Sequence, residues 1–188
     1  MTHPINMVSV PLELTPSKKA ALLSILTAAS IATNYLLVGI VNVKLMDLLV
    51  FTSGYVFGMR FGATVAVLSW MVYGTLNPYG FSFPILLATI TGEMIYGLCG
   101  GYIRKFIKIP ETNGWKPDLR FAILGFLLSF CYDVYTNIVS ALVAGVPLMV
   151  AMVAGIPFAL VHEVSNAAFF MFGLPPLTIA LHHVLRRY

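Results

Sequence analysis

The segment Arg104-Lys105-Phe106-Ile107-Lys108-Ile109-Pro110-Glu111-Thr112-Asn113-Gly114-Trp115-Lys116-Pro117-Asp118-Leu119-Arg120 is the one long polar stretch between two apolar runs, and it decides the fold. It holds Arg104, Lys105, Lys108, Lys116 and Arg120, five of the eleven basic residues. Working outward, Lys18 and Lys19 precede the first apolar run, Arg60 separates the second from the third, and Arg186 and Arg187 follow the sixth. Threading the runs through a bilayer puts all of these on one side and leaves only Lys44 on the other. Lys and Arg close to helix ends are retained in the cytoplasm. The chain is therefore predicted to be an all-α polytopic protein of the cell membrane, with six transmembrane helices and both termini cytoplasmic.

Composition agrees with this. Mean hydropathy is +0.90, 59% of residues are hydrophobic and 10% are charged, against about 25% charged in soluble domains. The positive-inside loops account for the net charge of +4, so it does not suggest a nucleic-acid partner. With 188 residues, residues 1–188 are expected to form a single membrane-embedded helical domain.

Residues 1–17 contain Pro4, Pro11 and Pro16 and read as an irregular N-terminal segment without the pattern of a cleaved signal peptide. Spans are expected at about 20–41, 45–59, 61–76, 83–103, 121–143 and 158–181. The second and third fall short of the roughly 20 residues a crossing helix needs. Two short spans with Arg60 at the surface are cheaper than a re-entrant hairpin that buries it, which costs about 2.5–3.5 kcal/mol. Asn77-Pro78-Tyr79-Gly80 reads as an outer turn. The sixth span has an alternative start at Leu148 and end at Phe172, and Pro175-Pro176 is expected to kink or break its inner end. Cys99 and Cys131 fall inside spans as small hydrophobes, with no disulfide or metal expected.

Three acids, Glu93, Asp133 and Glu163, lie inside spans, where charge is expensive and usually functional. At 1.5 Å per residue they and Asn166 sit roughly 8–15 Å below the outer surface. Asp133 and Asn137 share a helix face, as do His162 and Asn166. Trp70, Tyr73, Tyr132 and Tyr135 supply aromatic walls, while Asn34, Tyr35, Asn77 and Tyr79 sit at outer helix ends. Together these residues describe an outward-facing cup with an apolar wall and a few convergent polar groups. Its excess of acid points to a cargo with an amine, a protonated ring nitrogen or several donors. The blander explanation is that the polar groups stitch helices together for about 0.6 kcal/mol each.

Ala20, Ser24, Ala28 and Ala32 recur every four residues on the first span, and small residues at this spacing allow close helix approach. Gly54/Gly58 and Gly97/Gly101 read as internal packing. Six short spans, inner termini, and the Ala28-Ala29-Ser30-Ile31-Ala32 stripe resemble the substrate-binding S component of an energy-coupling-factor (ECF) transporter. The Asn77-Pro78-Tyr79-Gly80 turn and the Tyr132-Asp133-Val134-Tyr135-Thr136-Asn137 stretch are similar to members of that family. The resemblance implies capture of a vitamin-like small molecule in an outward-open cup. It also implies association with a transmembrane T component and two ATP-binding subunits, and release of cargo by toppling in the membrane. By the same resemblance, Ala28 and Ala32 face the T component.

Other functions fit less well. His162-Glu163 begins like His-Glu-x-x-His, but Asn166 stands where the second zinc ligand belongs. Neither Gly-x-Ser-x-Gly nor a phosphate-binding Gly-x-x-x-x-Gly-Lys occurs. No enzymatic activity and no cofactor are expected, and any ATPase must be a partner. A metal-ion uptake subunit would rest on His3, which falls on the cytoplasmic side. A solitary secondary carrier would be expected to show inverted repeats, and none is seen.

Overall fold

The computed structural model of the protein describes residues 15–78, 80–109 and 116–186. The described residues form six helices and no strand: α1 (Pro16–Leu36), α2 (Met46–Phe57), α3 (Met59–Thr75), α4 (Phe83–Ile103), α5 (Leu119–Ala144) and α6 (Leu148–Arg186). Local chemistry sets several of their ends. The Thr15 hydroxyl accepts from the Lys18 amide at 3.4 Å and Pro16 opens the first turn of α1. Asp118 caps α5 at its start, and Gly145 closes it in the left-handed region at φ 64°.

Three helices are long and apolar enough to cross a membrane: α4, α5, and α6 over Leu148–His183. They expose many large apolar side chains, including Leu87, Ile95, Phe126, Phe130, Val153 and Val164. At 12 residues, α2 reaches about 18 Å, well short of a hydrocarbon core about 30 Å thick. It is the central helix, touching α1, α3, α4 and α6. All of its residues except Leu49 and Phe57 are buried. The chain between Leu36 and Met46 is irregular.

Glycines bring α2, α3 and α4 together. A Cβ on Gly54 would strike the Gly97 carbonyl, one on Gly97 would strike the backbone of Gly62, and one on Gly100 would strike the Phe51 carbonyl. Gly58 departs from the expected packing role. Nothing lies near its Cβ position, and its φ of 103° makes the turn between α2 and α3. Arg60 is exposed just beyond that turn. Arg104 Nη1 donates to the Tyr55 and Val56 carbonyls at 3.4 and 3.2 Å, so a cation sits at the C-terminus of α2, where the helix dipole favours it. These contacts define a basic end of the bundle.

The sixth helix has the alternative start, at Leu148, and not the one at 158, and it runs past the expected inner end of both spans. It starts at Leu148 and continues through Pro157, Pro175 and Pro176 to Arg186. Pro175 has no N–H to give the Met171 carbonyl, and the Asp118 amide donates to that carbonyl instead, at 3.2 Å. A neighbouring strand of backbone thus satisfies the group that proline frees. Cys131 is exposed on α5 rather than buried.

Candidate functional site

A cavity of about 430 Å³ opens at the end of the bundle away from Arg104. Its wall comes from the irregular Leu37–Lys44 stretch, the C-terminal part of α3, the first turns of α4, the last turns of α5 and Gly155–Ala159 of α6. Non-helical backbone at this depth is tolerated where it lines a cavity. Asn42 makes the tight bend in that stretch, with φ 59°, which asparagine tolerates better than most residues. Its side-chain amide donates to the Phe158 carbonyl at 2.9 Å and ties the loop to α6.

Of the residues the sequence singled out, Asn34, Asn77, Asp133 and Asn137 line this cavity, with Trp70, Tyr73 and Tyr132 as its aromatic wall. Asn34 is 3% exposed, so it belongs to the inner wall rather than the rim. Its Oδ1 has no hydrogen-bond partner, and neither does the Tyr132 hydroxyl. A buried polar atom left unpaired costs about 1–3 kcal/mol.

Glu93, His162 and Asn166 are fully buried and lie under the cavity, not in its wall. They form a floor with Asp47, which the sequence reading passed over. His162 Nε2 lies 2.6 Å from Asp47 Oδ2, and His162 Nδ1 lies 3.0 Å from both Asp133 oxygens. Donating to both carboxylates takes a proton on each ring nitrogen. Asn166 Nδ2 donates to Asp47 Oδ2 and to Ser129 Oγ, each at 2.6 Å. Tyr96 donates to Ser129 Oγ at 2.9 Å, and the Trp70 indole donates to Glu93 Oε2 at 3.1 Å. The floor joins α2, α4, α5 and α6, with α3 tied on through Trp70, so the polar layer does stitch helices together, while one side of it, Asp133, reaches the cavity.

Glu163 lies beside the cavity and not in it, on the far side of Asp133 and Asn137, which line both spaces. It turns into a lateral apolar groove of about 270 Å³ between α5 and α6, beside Phe126 and Phe130. The expected depth assumed that α6 began at Phe158. Beginning ten residues earlier does not rotate the helix, but Glu163 follows His162 by one position and faces about 100° away from it. Tyr79 lies outside the described residues.

Lys44 is the other residue whose importance was missed. Its ammonium lies 5.7 Å from the ring centroid of Trp70 and 5.1 Å from that of Tyr132, at the cavity wall. Such contacts contribute about 0.5–2 kcal/mol.

Ala20, Ser24, Ala28 and Ala32 are all exposed along one side of α1. No family model, curated protein or solved structure matches the chain.

Proposed function

We propose that the protein is a multi-pass cell-membrane subunit that captures a vitamin-like small molecule from outside, in the manner of an ECF S component. The observation that carries this reading is a preformed cavity, closed below by a buried, hydrogen-bonded polar floor and open at the end opposite the basic loops. A volume of about 430 Å³ is within the usual range for small-molecule sites, roughly 300–1,000 Å³. The positive-inside rule then makes the open end the outer face and the Arg104 end cytoplasmic. In six crossings, α2 and the irregular stretch before it count together as the second.

The exposed Ala28 and Ala32 side is where a T component would dock, since only small side chains let a second helix come close. ATP hydrolysis falls to two further partner subunits. Native mass spectrometry of the protein purified in mild detergent tests the binding reading. A bound small molecule, absent after Asp133→Ala, is the expected result. For the docking side, Ala28→Leu and Ala32→Leu should impair uptake in cells and leave binding to the isolated subunit intact. Loss of binding in either variant would assign the stripe to the internal fold.

A further inference from the structure

We propose that the cavity selects an organic anion and that Lys44 holds its carboxylate or phosphate group; this rests on the reading of the cavity as a binding site. Of the three acids that suggested a cationic cargo, Glu163 lies in the lateral groove, Glu93 is buried in the floor with one oxygen accepting from Trp70, and Asp133, the one that reaches the cavity, faces His162 with both oxygens. Asp47 beneath them is held by His162 and Asn166.

Lys44 differs from them. Its ammonium is at the cavity wall over two aromatic rings, and among the described residues no carboxylate lies within 4 Å of it. Ring faces fix where a cation sits but leave its charge in place. A charge in a low-dielectric wall attracts a counter-ion more strongly than one in water. Tyr132 lines the cavity beside it, and its buried hydroxyl has no protein partner. The N-terminus of α2 begins at Met46, two residues after Lys44; Asp47 in its first turn meets the positive end of that helix dipole, so Lys44 is the cation at the cavity wall. A flat ring bearing an acidic group fits these donors and the aromatic wall together.

Four shape-matched probes separate the possibilities by isothermal titration of the full chain in detergent: naphthalene-2-carboxylate, 2-naphthyl phosphate, naphthalene-2-carboxamide and naphthalen-2-ylmethanamine. At least one of the two anions should bind tenfold or more tighter than the amide, and the amine should bind weakest. Which anion is preferred distinguishes carboxylate from phosphate cargo. Lys44→Met should erase the preference while amide binding persists, Lys44→Arg should retain it, and Tyr132→Phe should weaken anion binding several-fold. Amide binding by Lys44→Met serves as its folding control. If that variant does not fold, the wild-type ranking of the four probes decides. Tightest binding by the amine, equal binding of all four, or an anion preference that survives Lys44→Met would overturn the inference and leave the binding site standing. No binding by any probe, together with no small molecule in the native mass spectrum, would remove the binding site and the inference with it.

Discussion

The two ends of α2 meet opposite demands. Toward its C-terminus the helix lies backbone against backbone with α4 through Gly54, Gly97 and Gly100, and Arg104 covers its last carbonyls. Toward its N-terminus it holds Asp47 in a network of 2.6 Å contacts beneath an open cavity. One end is dry and has no spare volume; the other is polar and hollow. Water-free helices gain little from hydrophobic contact with one another, so close packing through small residues has to hold them. A rigid seam at one end lets the other remain a preformed cavity without collapsing. Preformed sites bind more tightly because less ordering is required on binding.

The largest expected effect comes from breaking the seam. Gly97→Leu would drive side-chain atoms into the backbone of Gly62 and Ala63, which cannot yield as a side chain does. Overpacking typically costs about 1–3 kcal/mol, and a backbone clash belongs at or beyond the upper limit. The variant should lose its folded population in a thermal melt. Gly39→Ala, in the irregular stretch where nothing lies within 4 Å of a new Cβ, should change the melting temperature little. Similar melts for both would mean the seam is no tighter than the cavity end.

Next in size is the floor. Asp47→Ala would strand His162 between Asp133 and an empty site and remove an acceptor from Asn166. Breaking a buried pair from one side costs about 3–5 kcal/mol. Destabilisation in detergent below about 1 kcal/mol would show that water already reaches the floor, and the contrast between sealed floor and open cavity would fail.

The cavity wall comes third. Asp133→Ala should weaken binding of the co-purified molecule roughly tenfold, which corresponds to about 1.4 kcal/mol. Asn34→Ala should now have an effect of similar size, because Asn34 lies in the inner wall. Unchanged titration isotherms for both would reduce the polar layer to helix-to-helix glue.

Much of this was legible in the sequence. Basic loops and apolar runs give the order of the helices, and spacing puts His162 with Asn166 and Asp133 near both. What escaped was the setting of α2. A run of 12 helical residues is about 18 Å long, and its N-terminal end carries Asp47 into the floor and Lys44 to the cavity wall. The expected span 45–59 differs from the helix by Leu45, Gly58 and Met59 alone, so what chain order lacked was the neighbours that Asp47 and Lys44 meet. Proline misled at the other end. Pro175 reads as a break unless it is known that the Asp118 amide, distant in sequence, takes over the freed carbonyl. Depth and an i, i+3 spacing to Asn166 group Glu163 with the layer, but its one-residue offset from His162 turns it toward the lateral groove. Chain order carries such facts only after neighbouring helices are fixed.

The smallest expected effect lies at the basic end, where charge is near the surface and pH can probe it without touching the cavity. Asp118 caps α5 and meets Arg120 through bonds of 2.7 to 3.2 Å from the guanidinium and one of 3.0 Å from the Arg120 amide. The Arg120 side-chain bonds hold its carboxyl below the ordinary aspartate range. A group whose pKa is lower when folded stabilises the fold above its unfolded pKa, and this contribution fades as pH falls through the folded value. Melting temperature should therefore favour the wild type over Asp118→Asn at pH 6. The gap should shrink as pH drops below about 4, where an unfolded aspartate takes up its proton. The gap should be small, about 0.2–1 kcal/mol, because Arg120 is well exposed and the pair is screened by salt. Asparagine is also a good N-cap, so the neutral capping bond survives the substitution. A gap of the same size at pH 6 and pH 3 would mean that the Asp118 charge contributes nothing, leaving capping and the Met171 carbonyl contact as what holds this end of the bundle together.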